Sequence, residues 1–108
     1  MEHLEEFVVN KRETATNYAE FFKNMEDIEF FTEPADCRAN YWLNAVILKD
    51  KQAQLDFLQQ TNDKGVMTRP IWELMNRLPM FEHCQNDGLE NTIWFADRVV
   101  NIPSSVKV

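Results

Sequence analysis

Leu4, Phe7, Val8, Ala15, Tyr18, Phe21, Phe22 and Met25 follow one another at intervals of three and four, with a break only near Lys11 and Thr14. That spacing lines one face of a helix of about six turns. Glu5, Arg12, Glu13, Glu20 and Lys23 fall on the opposite face, where charge meets water. A chain of 108 residues has room for one domain, and this helix is long for it. Its stripe therefore either wraps the rest of the chain or packs against something beyond it.

After the helix, Ile28 to Thr32 is short, aromatic and β-branched, which predicts a strand. Pro34 and Asp36 mark a connection, and Tyr41 to Leu48 (YWLNAVIL) is apolar enough for a strand covered on both faces, interrupted by Asn44. Asp50 is placed to cap a helix through Leu55, Phe57 and Leu58, which Asn62-Asp63-Lys64-Gly65 ends. Val66 to Thr68 reads as a short third strand. Between Pro70 and Pro79 lies one turn or two of helix, or an ordered loop. Asn86-Asp87-Gly88 makes a turn, Leu89 to Arg98 a helix, and Val99 to Ile102 a last strand stopped by Pro103. The order α-β-β-α-β-α-β gives an α+β fold: a small, mostly antiparallel sheet with helices on one face, preceded by the long amphipathic helix.

Composition narrows the function. A formal charge of −7 repels phosphate backbones at long range, so general nucleic-acid binding is not expected. No stretch approaches the ~20 apolar residues of a membrane span, and the start MEHLEEF lacks the apolar centre of a secretory signal. Cys37 and Cys84 are too few for a disulfide framework. These features predict a cytoplasmic protein with reduced thiols.

The two glycines, Gly65 and Gly88, cannot supply a dinucleotide fingerprint or a phosphate loop. No histidine pair has metalloprotease spacing, and a metal site from His3, Cys37, His83 and Cys84 would need distant segments to converge without a Cys-x-x-Cys anchor. No metal is expected. His83 adjoins Cys84 in sequence, a poor placement for a base and its nucleophile. Ser104-Ser105-Val106-Lys107 matches Ser-x-x-Lys by letter, but at the end of the chain nothing follows to bury it. No residue of this chain is predicted to be catalytic.

Two constellations remain. Arg38-Ala39-Asn40-Tyr41-Trp42-Leu43-Asn44 sets polar groups at the mouth of a strand; alternatively Tyr41 and Trp42 are core and Arg38 pairs with a carboxylate. Thr68-Arg69-Pro70-Ile71-Trp72, with Met75, Asn76 and Pro79-Met80 after it, joins a proline-stiffened arginine to an indole. Arginine's rigid, always-charged fork suits phosphate or carboxylate. The bland alternative is an Arg–Glu pair with Trp72 as core filler.

At these same places, NYWLNAVIL, GVMTRPIWELMNRLPMF and NIPSS closely resemble the carboxy-terminal end of the DegT/DnrJ/EryC1/StrS aminotransferases. The chain is most similar to the branch making 4-amino sugars of the bacillosamine and legionaminic-acid type, and the likeness runs from about Leu4 to Ser105. The resemblance implies the small domain of fold type I pyridoxal-phosphate enzymes, which act as homodimers and move an amino group, usually from glutamate, onto a nucleotide-linked keto sugar. It divides this single domain, 1–108, into a connecting helix (1–25), an α+β body (26–105) and a tail (106–108).

By the same resemblance, Arg69 and Trp72 lie near the nucleotide sugar with Asn40 and Tyr41 close by. Asn76 stands where the family often has a histidine, which bears on which sugar is taken. The cofactor's lysine belongs to a large amino-terminal domain missing from this chain, and Lys11, Lys23, Lys49, Lys51, Lys64 and Lys107 all lie outside the two constellations. No cofactor is therefore expected in this chain, although pyridoxal phosphate serves the parent. The expected partners are the large domain, the parent's nucleotide sugar, and a second copy, as homodimer or through exchange of the first helix. The competing expectation is a non-enzymatic module that uses the helix stripe to dimerise or hold a partner.

Overall fold

The computed structural model describes residues 2–106. Helix α1 (Leu4–Phe22) runs into strand β1 (Ile28–Phe30), then β2 (Asn44–Leu48) and helix α2 (Lys51–Asp63). Strand β3 (Arg69–Pro70), a single 3₁₀ turn (Met75–Arg77), helix α3 (Glu90–Ala96) and strand β4 (Val99–Ile102) complete the chain. The strands form one antiparallel sheet in the order β1-β2-β4-β3. This is the predicted α+β architecture, and its helices α1 and α2 share one face.

Strand register shows why. Val46 lies opposite Phe30 on one side and Val100 on the other, and Asn44 opposite Ile102. Side chains opposite one another share a face. Phe30, Val46, Leu48, Val100 and Ile102 therefore make one apolar layer, and Ala15 and Phe22 of α1 close over it. Ala53, Phe57 and Leu58 of α2 pack against the same cluster. Tyr18, Phe22 and Phe30 stack within it at centroid distances of 5.9 to 6.5 Å.

Local chemistry sets the element ends. The Ala53 N–H donates to Asp50 Oδ1 at 2.8 Å, the predicted cap of α2. At its far end Gly65 takes φ +81°, the left-handed turn-off for which glycine is suited. The Asn86-Asp87-Gly88 turn forms as expected, with Asn86 Oδ1 accepting from the Gly88 N–H and Asp87 Oδ1 from the Leu89 N–H.

Four expectations are corrected. The apolar run Tyr41–Leu48 enters the sheet only at Asn44, because Tyr41 sits at φ +48° and turns the chain. The third strand is Arg69–Pro70 and not Val66–Thr68, because Thr68 is tied to α2: its hydroxyl lies 2.6 Å from Thr61 Oγ1 and accepts from Asn62 Nδ2 at 3.0 Å. Helix α1 ends at Phe22, so Met25 lies in the following turn. Arg12, assigned to a solvated face, reaches across to Glu33 as a half-buried ion pair.

Candidate substrate-facing cavity

Anchoring Thr68 to α2 has a consequence for its neighbour. Alternation along a strand sends Arg69 to the opposite face, where it is paired with Asn101 of β4. On that face, at the end of the sheet where β4 runs out, lies a cavity of about 580 Å³. Arg69, Trp72 and Met67 line it from the β3 side, Leu43 from the entry to β2, and Asn101, Ser104 and Ser105 from β4 and its continuation. Arg69 is the one charged residue of this lining. In a chain of net charge −7 the cavity is thus a local island of positive charge.

Arg69 has no carboxylate within ion-pair reach among the described residues; its recorded contact is with Met67 Sδ at 4.0 Å. Glu73, the nearest carboxylate along the chain, pairs with Arg77 at 3.5 Å. Trp72 is no core filler: 67% of it is exposed. An always-charged fork and a bare indole on one cavity wall suit an anionic ligand with a flat or sugar-like part.

The other predicted site residues lie elsewhere. Asn40 and Tyr41 are outside the cavity lining and shape the loop that leads to Leu43. Asn40 Oδ1 accepts from the Trp42 N–H at 3.0 Å, and the Tyr41 hydroxyl accepts from the Glu33 N–H at 3.0 Å. The Tyr41 ring packs on the core, whereas Trp42 is largely exposed. Arg38 meets a carboxylate, Glu5, at 3.6 Å. Asn76 lines a separate cavity of about 270 Å³ with Met75, Phe81 and Leu89, and its Oδ1 is buried without a protein partner among the described residues.

Behind the rim, Glu33 is the hub of a polar cluster. Arg12 donates to both its oxygens, Nη1 to Oε2 at 3.0 Å and Nη2 to Oε1 at 2.8 Å, and the Ala39 N–H donates to Oε2 at 2.6 Å. The Arg12 guanidinium, then the Ala39 N–H, hold the Glu33 carboxyl down at about 2. Arg12 is raised in turn by its bond to Glu33. Burial against the core pushes the Tyr18 phenol upward.

Asn101, Ser104 and Ser105 were not singled out as site residues by the sequence, although the last two stand in the NIPSS run. No lysine is among the residues that line the cavity. Lys11 donates to backbone carbonyls, and Lys107 of the Ser-x-x-Lys match lies outside the described residues. No group of three His, Cys, Asp or Glu side chains that could hold a metal occurs among the described residues. No helix there is long and apolar enough to cross a membrane.

The profile of the DegT/DnrJ/EryC1/StrS aminotransferase family matches residues 1–108. The chain belongs to that family. Among its relatives, EpsN of Bacillus subtilis (strain 168) is 26% identical over 82 residues, which are 76% of this chain and 21% of EpsN. GDP-perosamine synthase of Escherichia coli O157:H7 is 23% identical over 106 residues, 96% of this chain and 28% of the synthase. The fold is shared with the aminotransferase TlmJ of Streptoalloteichus hindustanus, at a TM-score of 0.84 and 20% identity, covering 95% of this chain and 28% of TlmJ. This family member thus spans between a fifth and a third of the length of the relatives it matches.

Proposed function

We propose that this chain is the carboxy-terminal small domain of a pyridoxal-phosphate-dependent aminotransferase acting on a nucleotide-linked keto sugar, and that alone it is inactive. Residues 1–25 act as connecting helix, 26–105 as body and 106–108 as tail. The carrying observation is Arg69, without a carboxylate partner and fixed through Thr68 on the wall of a cavity that also bears Trp72. Family membership and the named relatives supply the reaction class.

In this reading Arg69 holds a phosphate of the nucleotide and Trp72 covers the flat part beside it. Asn40 and Tyr41 act one step back, by fixing the rim loop, and Asn76 serves the sugar end from its own cavity. The described residues do not fit the cofactor, because no amine lines the cavity. Pyridoxal phosphate, which supplies the electron sink for nitrogen transfer, is then held by the large domain. A cytoplasmic setting and a homodimer accompany the proposal, and the bacillosamine-type branch remains its preferred substrate class.

The test is kinetic. In the chain joined to a lysine-bearing large domain of the family, Arg69→Ala should raise KM for the nucleotide sugar by about 10- to 100-fold, as loss of a charge-assisted contact does. KM for glutamate should stay unchanged. An unaltered KM for the nucleotide sugar would remove the role given to Arg69.

The second reading, an interaction module, is favoured by one observation: Leu4, Phe7 and Phe21 of the α1 stripe are all exposed. Such a stripe marks an interface. In the enzyme reading the large domain or a second copy covers it.

A further inference from the structure

Lys11 and Arg12 form the densest basic pair of an acidic chain, and the proposed reaction assigns them no task. Both turn inward from α1. Arg12 Nη1 donates to the Ala39 carbonyl at 2.6 Å as well as to Glu33. Lys11 Nζ donates to the Trp42 carbonyl at 3.1 Å and to the Ser104 carbonyl at 2.6 Å. Those two carbonyls belong to segments 31 and 93 residues further along the chain than Lys11. Each is joined by one peptide bond to a residue of the cavity wall, Leu43 in one case and Ser105 in the other.

We infer that Lys11 is a positioning residue for the cavity, its ammonium pinning together the two backbone segments that form the rim. This rests on the reading of the cavity as a nucleotide-sugar site.

Two features of the rim support it. Neither segment is held in the ladder there: Trp42 and Leu43 precede β2, and Ser104 and Ser105 follow β4. Regular pairing stops at Asn44 and Ile102. Beyond it, the segments depend on side chains. The Ser104 hydroxyl accepts from the Asn44 N–H and donates to the Ile102 carbonyl, both at 2.8 Å. From α1, Tyr18 donates its hydroxyl to the Pro103 carbonyl at 2.8 Å, and Lys11 supplies the remaining bridge. An ammonium with three donors can bind two carbonyls at once, whereas an apolar side chain of similar length binds neither. The helix that leaves Leu4, Phe7 and Phe21 exposed thus also carries the ammonium that spans the rim.

The experiment is a titration of the full 108-residue chain with UDP and, in parallel, GDP, followed by amide chemical shifts. In the wild type, shifts gather on Leu43, Arg69, Trp72, Asn101 and Ser105. Lys11→Met, which keeps the stem and removes the donors, should weaken the dissociation constant roughly tenfold. Lys11→Arg, whose fork reaches two acceptors, should restore it. Tyr18→Phe should weaken binding by less and in the same direction.

Melting temperature separates positioning from folding. Affinity must fall in variants that melt as the wild type does, and Tyr18→Phe decides the matter should Lys11→Met fail to fold. Equal affinity in wild type, Lys11→Met and Tyr18→Phe would overturn the role of Lys11 while leaving the cavity reading intact. No shift at the cavity residues of the wild type would overturn that reading and the inference with it.

Discussion

Arg12 on α1 and Glu33 in the loop after β1 meet as a two-pronged ion pair, with both nitrogen-to-oxygen distances at or below 3.0 Å. Because the Ala39 N–H shares the same carboxylate, the pair fixes a loop that runs on to Asn40, Tyr41 and the cavity rim. Glu33 titrates at about 2 against an ordinary value of 4.5, so it is a group whose folded value is depressed. Its contribution is complete above the unfolded value and is lost as pH falls from about 4.5 toward 2. Melting temperatures of wild type and Glu33→Gln, followed down that range, should converge. A gap that stays constant to the bottom of the range would show that the carboxylate's charge contributes nothing.

Gln54 of α2 is fully buried and donates to the Ala96 carbonyl at 3.0 Å and the Val99 carbonyl at 2.8 Å. It ties the end of α3 to the start of β4. Gln54→Ala leaves a void and two carbonyls without their donor, and should cost about 3 kcal/mol. Gln59→Ala, on the exposed side of the same helix, should cost within about 0.5 kcal/mol. Denaturant unfolding distinguishes the two, and equal losses would contradict the role given to Gln54.

The bare stripe of α1 predicts self-association of the isolated chain. Phe7 and Phe21, both exposed, are its largest members. Light scattering should show dimers or larger species whose population falls in the Phe7→Glu, Phe21→Glu double variant. A clean monomer of the wild type at high concentration would count against the stripe as an interface.

Trp42, Trp72 and Trp94 are all exposed. Tryptophan emission of the folded chain should already be red-shifted and move little on unfolding. Strongly blue-shifted emission from a Trp72→Phe-sensitive component would return Trp72 to the core.

What could be read along the chain depended on how far apart the causes lie. Helix α1, the Asp50 cap and the Asn86-Asp87-Gly88 turn are set by residues within one or two turns of each other, and periodicity exposes them. Apolar character places Tyr41 in the strand, but its left-handed turn is tied to Glu33, and Glu33 to Arg12 on another element. The third strand was displaced for a similar reason, since Thr68 answers to α2 and not to its neighbours. At the site, the arginine, proline and indole chemistry was visible at Arg69 and Trp72. Asn101 and the two serines were not, because only antiparallel pairing of β3 with β4 brings them to that wall. Charge pattern alone misled for Arg12, whose partner is 21 residues away.

In the proposed function this chain shapes a substrate wall and the reactive amine comes from elsewhere. Nitrogen transfer from glutamate to a nucleotide-linked keto sugar should be measured with the purified chain plus pyridoxal phosphate, and again after adding a lysine-bearing large domain of the family. No transfer is expected in the first case and measurable transfer in the second. Transfer by the chain unaided would contradict the proposed function.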